Sequence, residues 1–351
     1  MSTEENKEKT AMAQGTSVPG AKVLKAPLSR AIGSIGRQKG IWEARRREQG
    51  SWEKHTYHAN AGRREYYVYT PAHYQPGSAV PLLVMLHGCD EGPRDFAAST
   101  QMNELADQQH FIVVYPRQTI GDQPLKCWTW YNAANQCRDR GEAALLAGIT
   151  QAVQHNTARW TIDPQRVYVA GLSAGAAMAV ILGATYPDLF AAIGVHSGLE
   201  YHAATTGPGA VQAMQDRGPD PLQQGEVAYQ AMGRAARVVP TIVFHGTQDL
   251  AVHPVNGDQV VQQWMETDRL ASQGAYTARF DTPSSDERRR APGGRSYRVK
   301  TWTDASGKVV QAYWTVEGMG HAWSGGRARM PYSDPHGPNA SLAMYQFFVD
   351  H

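Results

Sequence analysis

Residues 166–182 constrain this chain more than any other stretch. An apolar run, Arg166-Val-Tyr-Val-Ala170, enters the pentapeptide Gly171-Leu172-Ser173-Ala174-Gly175, and a series of small and apolar residues leaves it toward Leu182. The entry reads as a buried strand and the exit as a helix, so the serine falls on the turn between them. The flanking glycines leave room for a tight turn that lifts the hydroxyl above the sheet edge, and the helix N-terminus offers partial positive charge to an anion forming there. G-x-S-x-G alone is a weak signal. Set between a strand and a helix it is specific.

The rest of the chain repeats the rhythm. Pro81 to His87 is a continuous apolar run closed by Gly88, the pattern of a strand buried on both faces. Residues 65–70, 111–115, 191–195 and 241–245 read as further strands, and 95–109, 142–158, 174–185 and 256–272 as helices. Residues 207–225 are loop-rich and lead into a helix ending near Arg237; 297–303 and 309–316 form a hairpin, and 341–349 a closing helix. Strands alternating with helices imply right-handed crossovers, hence an α/β fold with a mostly parallel sheet covered on both faces. No repeat with a period of 20–50 residues occurs, which excludes a solenoid.

Charge divides the chain. Residues 1–64 hold 13 Lys/Arg and 6 Asp/Glu, a balance of +7, and the remainder carries −5 of the net +2. Residues 1–60 are expected to be a flexible basic extension, with a helical piece around 41–48, and 61–351 the catalytic domain. A mildly acidic body excludes nucleic-acid binding as the main function, and Arg45-Arg46-Arg47 and Arg288-Arg289-Arg290 read as solvated surface. The apolar stretches around 82–86 and 176–184 are too short to span a bilayer. The polar, acidic start MSTEENKEKTAMAQG carries no readable export signal, so a cytoplasmic location is expected, with secretion as the alternative.

A serine nucleophile needs a base oriented by a carboxylate, and in this fold they follow in the order Ser, acid, His on loops at the carboxyl ends of strands. Asp249 lies in Gly246-Thr-Gln-Asp249 after the strand 241–245; its rival Asp258 falls in the next helix. His321 lies on the glycine-flanked loop Gly318-Met-Gly-His321, with His253 and His336 as rivals expected to have other roles. An oxyanion hole requires two convergent amides: Ala174, after the nucleophile, and Cys89, in His87-Gly88-Cys89 after an early strand, meet that need. Here the amide of Cys89 matters rather than its thiol. Trp128, Trp130 and Trp323 are candidates to line an acyl groove. No C-x-x-C and no helical His pair with a carboxylate occurs, so neither a metal nor a cofactor is expected. Three cysteines allow at most one bridge; under oxidising conditions Cys127 is expected to pair with Cys89 or Cys137.

These segments together resemble the polyhydroxybutyrate (PHB) depolymerase-type esterases, which are α/β-hydrolases. The resemblance covers about residues 64–348: LLVMLHGC at 82–89, CWTWYN at 127–132, RDRGEAALLAG at 138–148, RVYVAGLSAGAAMA at 166–179, FAAIGVHSG at 190–198, VFHGTQD at 243–249, GMGHAWSGG at 318–326 and DPHGPNAS at 334–341. It implies Ser173 as nucleophile with Asp249 and His321 as partners. The implied substrates are short hydroxyacid polyesters and related carboxylic esters, which makes a polymer granule surface a partner. The family usually continues HGC with Thr-Gln, where this chain has Asp90-Glu91, a departure that bears on substrate preference. A feruloyl or acetyl-xylan esterase shares the fold and chemistry, and a catalytically dead granule-binding module is the alternative outside enzymes.

Overall fold

The computed structural model describes residues 50–351. Ten strands form one sheet: β1 (Ser51–Ala59), β2 (Gly62–Thr70), β3 (Val80–Leu86), β4 (Ile112–Pro116), β5 (Ile162–Leu172), β6 (Ala192–His196), β7 (Thr241–Gly246), β8 (Ser285–Arg290), β9 (Ser296–Thr303) and β10 (Val309–Val316), in the order β1-β2-β4-β3-β5-β6-β7-β10-β9-β8. The six strands from β4 to β10 in that order run parallel. The pairs β1–β2, β2–β4, β9–β10 and β8–β9 are antiparallel. Two short strands, β11 (Trp323–Ser324) and β12 (Ser333–Asp334), pair beside the sheet.

The apolar runs become central strands because both faces are covered. In β3, Leu82, Val84 and Leu86 enter one core, and Leu83 and Met85 enter the other. Three helices cover the first face: α3 (Gly141–Gln154), α4 (Ala174–Thr185) and α7 (Val255–Ala271). The second face is covered by α1 (Pro93–Thr100), α2 (Met102–Gln109) and α8 (Ala340–Val349). Between β6 and β7, α5 (Gly207–Gln215) and α6 (Pro221–Met232) form the loop-rich excursion.

Two expectations need correction. The extension does not run to residue 60, because Ser51–Ala59 pairs along its length with β2 as the outermost strand; Trp52 lies tilted against Tyr67 and Tyr115, which ties it to the sheet. Residues 1–49, including the expected helical piece at 41–48, lie outside the described range. The helix over 95–109 is two helices, broken where Gln101 takes a left-handed φ of 56°.

Candidate active site

Ser173 terminates β5 at φ 57° and ψ −121°, backbone space that a residue with a side chain rarely occupies. Its neighbours permit this. A Cβ on Gly171 would collide with the backbone of Gly175, and one on Gly175 with the carbonyl oxygens of Leu86 and His87. The turn is therefore pressed against the end of β3, next to Gly88. The Ser173 side chain caps no helix amide, and the N-terminal amides of α4 begin directly behind it.

Asp249 is buried on the turn after β7. Its Oδ1 accepts the N–H groups of Ala251 at 3.0 Å and Val252 at 2.9 Å, and its Oδ2 accepts from His321 Nδ1 at 2.8 Å. A carboxylate only accepts, so the bond places a proton on Nδ1 and leaves Nε2 of His321 as the basic nitrogen. Burial pushes the Asp249 carboxyl up, but the bond and charge of His321, with help from His245 and the Val252 amide, outweigh it and hold the carboxyl below its ordinary value. His321 retains slight exposure, at 14 % of its side chain, as a group that must reach substrate requires. Ser173, Asp249 and His321 thus all stand at the carboxyl edge of the parallel strands.

His196, which the sequence reading did not single out, ties two of them together. Its carbonyl accepts the Ser173 N–H at 2.9 Å, and its Nε2 accepts the N–H of Ser324, on the His321 loop, at 3.0 Å. The ring is stacked between Phe244 and Trp323. Burial drives its pKa well down, which keeps the Nε2 lone pair available. The only sequence signal for this role is its position at the end of β6, beside the serine turn.

On the other side of Ser173 lies the loop 87–91. Gly88 N–H donates to Glu91 Oε2 at 2.9 Å, and Asp90 N–H to the Leu125 carbonyl at 2.8 Å. The N–H of Cys89, between them, donates to no acceptor among the described residues. Glu91 is itself buried, which pushes its carboxyl up to about 8. Cys89 is bridged to Cys127, and Cys137 is left as an exposed thiol. The cytoplasmic expectation finds no support in this pairing, since disulfides persist in oxidising surroundings; the start of the chain, which carries that expectation, lies outside the described residues. Among the described residues no helix is long and apolar enough to cross a membrane, and no cluster of metal-ligating side chains occurs.

The tryptophans are corrected. Trp128 and Trp323 are both 0 % exposed and Trp130 only 4 %, so none lines an open groove. Their size and apolar area are spent on packing, and two of their indole N–H groups are bonded. Trp128 Nε1 donates to the His87 carbonyl at 3.0 Å and Trp323 Nε1 to Ser341 Oγ at 3.0 Å. The rivals stand apart from the Asp249–His321 pair. Asp258 lies within α7, where burial pushes its carboxyl up, and His253 is exposed on the turn before that helix. His336 is exposed beyond β12, where its carbonyl accepts the Arg295 N–H.

Known proteins resemble this chain in sequence and in fold. The chain is 33% identical over 265 residues to the poly(3-hydroxyalkanoate) depolymerase C of Paucimonas lemoignei, covering 75% of this chain and 59% of that protein. It is 32% identical over 227 residues to an acetylxylan esterase of Coprinopsis cinerea, covering 60% of this chain and 57% of the other. It thus spans under three fifths of the length of these curated relatives. The solved acetyl xylan esterase from Aspergillus awamori superposes with a TM-score of 0.67 at 20% identity, over 86% of this chain and 100% of the other. That likeness concerns the fold, which is that of the α/β-hydrolases. Residues 65–283 match the family model described as esterase PHB depolymerase, and with that match over most of the sheet and the serine turn the chain belongs to the PHB depolymerase-type esterase family.

Proposed function

We propose that this protein is a serine carboxylic-ester hydrolase that cleaves short-chain polyhydroxyalkanoate, polyhydroxybutyrate above all, and related soluble esters. The observation that carries the reading is the buried Asp249 carboxylate bonded to His321 Nδ1 at 2.8 Å, on the same sheet edge as a serine held at φ 57°. Ser173 Oγ attacks the ester carbonyl while His321 Nε2 takes its proton. The tetrahedral oxyanion is held by the amides of Cys89 and Ala174. The C–O bond to the alcohol breaks, His321 returns the proton to the leaving oxygen, and an acyl-serine remains. Water, deprotonated by His321, then attacks the acyl carbonyl and releases the acid and free Ser173. Asp249 stays ionised, holding the imidazole orientation and stabilising the imidazolium.

The relatives named as a depolymerase and an acetylxylan esterase support ester chemistry and leave two substrate classes to separate by experiment. The Cys89–Cys127 bridge favours an oxidising compartment for the enzyme. Ser173→Ala is expected to lower hydrolysis of a short-chain nitrophenyl ester by several orders of magnitude with little change in melting. Asp249→Asn should cost about 10⁴-fold, and Asp258→Asn less than tenfold. Retention of more than about a hundredth of the activity in Ser173→Ala would remove Ser173 as nucleophile. Equal hydrolysis by wild type and both variants at background level would favour a binding module. Release of 3-hydroxybutyrate from amorphous polymer supports the polyester reading. Its absence, with rapid liberation of acetate or ferulate from plant oligosaccharides, transfers the activity to the carbohydrate esters.

A further inference from the structure

Glu91 is buried on the loop that follows β3, beside the serine turn. Its Oε2 accepts the Gly88 N–H at 2.9 Å. A Cβ on Gly88 would stand 3.0 Å from that oxygen and 3.7 Å from Ser173 Cβ. The carboxyl and the carbon that bears the nucleophile are thus separated by the width of one methyl group. Among the described residues the Gly88 N–H is the one hydrogen bond to this side chain, and no cation is paired with it. A carboxylate taken out of water needs a cation or several donors, so this setting selects the neutral acid. Burial raises the carboxyl to about 8; the Gly88 bond opposes the rise and the charge of Asp95 adds to it.

The charged groups on the surrounding elements leave a carboxylate here uncompensated. Asp95, on α1, has the same sign. Arg94, also on α1, is turned over the rings of Trp52 and Tyr67 at 5.1 and 5.9 Å. Lys126, on the loop after β4, donates its Nζ to the Asp90 carbonyl at 3.2 Å, and Asp90 itself is exposed. Burial lowers His87 to about 4, which keeps its ring neutral. Beyond the serine stand Asp249 and His321, already bonded to each other at 2.8 Å.

Ester hydrolysis develops a negative oxygen beside the nucleophile. A second negative charge roughly 6 Å away costs a factor on the order of 100 at an effective dielectric of about 20. Ionisation leaves the Gly88 bond in place, because a carboxylate oxygen accepts as an acid carbonyl does, so the loss comes through charge alone. We propose that Glu91 is a positioning residue that serves hydrolysis only while it keeps its proton: the neutral acid holds the Gly88 N–H, and with it the loop beside the serine, without setting a charge against the oxyanion. This rests on the reading of Ser173 as the nucleophile and adds a pH dependence to it. The family's usual Gln at this position has the same acceptor and no proton to lose, so the alkaline fall is particular to this chain.

The test is the pH profile of kcat on a short-chain nitrophenyl ester, corrected for spontaneous hydrolysis. Wild type should lose about tenfold from pH 7 to pH 9, where about a tenth of the acid keeps its proton. KM should stay within about threefold, since the charge opposes the oxyanion and not the neutral ester. In Glu91→Gln the change between the two pH values should be under about twofold. Glu91→Leu should be equally flat but about tenfold less active than Glu91→Gln at pH 7, having lost the acceptor for Gly88. Glu200→Gln, which removes another buried acid with a raised pKa, should keep the wild-type fall. In the infrared difference between wild type and Glu91→Gln, a protonated-carboxyl band should be present at pH 7 and gone by pH 10. An equal alkaline fall in wild type and Glu91→Gln, a flat wild type, a Glu91→Leu as active as Glu91→Gln at pH 7, or no such band overturns the proposal. Should Glu91→Leu fail to fold, the Glu91→Gln profile and the infrared band decide. Ser173→Ala separates the two failures: activity surviving there overturns the parent reading, whereas an inactive Ser173→Ala beside an equal fall in wild type and Glu91→Gln overturns this one alone.

Discussion

The parallel centre of the sheet and its antiparallel flanks are built by different rules. Every residue of the candidate site stands on a loop leaving a parallel strand, and there backbone packs on backbone: the space beside Gly175 is closed by the Leu86 and His87 carbonyls. At the β1 flank the matching contact is soft. The atoms nearest Gly148 in α3 are the phenol end of the half-buried Tyr57, a side chain rather than backbone. At the other flank β8 is exposed over most of its length, and Asp286 and Arg298 pair in solvent across β8–β9. The difference teaches where the molecule can yield. Side chains at the flanks can move to absorb a change, while the centre cannot, because carbonyl groups already locked in the strand ladder form its walls.

The sharpest way to break that contrast is Gly175→Ala. One methyl group there must displace the end of β3, and we expect a loss of about 4 kcal/mol or more, seen as a large fall in Tm or failure to recover folded protein. A variant melting within about 3 °C of wild type would show that the centre yields as well.

A second prediction concerns an acid buried behind the centre of the sheet. Glu200, on the loop after β6, is 3 % exposed, its Oε2 has no partner, and burial, with the charge of Asp220, raises its carboxyl from 4.5 to about 9. A raised folded-state pKa means that the favourable contribution is complete below pH 4.5 and is lost as pH climbs toward 9. Glu200→Gln removes that loss. Its Tm should match wild type near pH 4.5 and exceed it by about 2–5 °C, or about 1–2 kcal/mol, near pH 9. A pH-independent difference would count against a buried neutral acid.

The smallest effect belongs to the flank. Gly148→Ala should change stability by less than about 1 kcal/mol, since displacing Tyr57 is offset by the gain of alanine over glycine inside a helix. A loss above about 3 kcal/mol would mean that the β1 edge is as stiff as the centre.

The same division decided what could be read from the sequence. Strands β3, β5 and β7 are legible because burial on both faces demands unbroken apolar runs. Strand β8, Ser-Asp-Glu-Arg-Arg-Arg, contains no apolar residue and owes its conformation to pairing with β9. Strand β1 hid in a polar texture because none of its residues is fully buried and only Trp52, Glu53, His55 and Tyr57 are half-sheltered. Asp249 and His321 were readable from chain order and their glycine-flanked loops. His196 was not, because its bonds to Ser173 and Ser324 join segments that only the folded chain brings near. The tryptophans misled for the opposite reason: aromatic content says that a side chain is large and apolar, and nothing about whether a groove or a core receives it.

Strand β3 carries one further consequence. A strand with one wet face resists sliding, because a shift of one residue drives its apolar side chains into water. With Leu82, Val84 and Leu86 in one core and Leu83 and Met85 in the other, a slipped β3 would still bury hydrocarbon on both sides. Hydrophobicity therefore cannot fix its alignment with β4 and β5. That is settled at its end, where Trp128 grips the His87 carbonyl and Gly175 closes on Leu86. The contacts that serve the candidate site are also the detent that stops the strand from sliding past its neighbours.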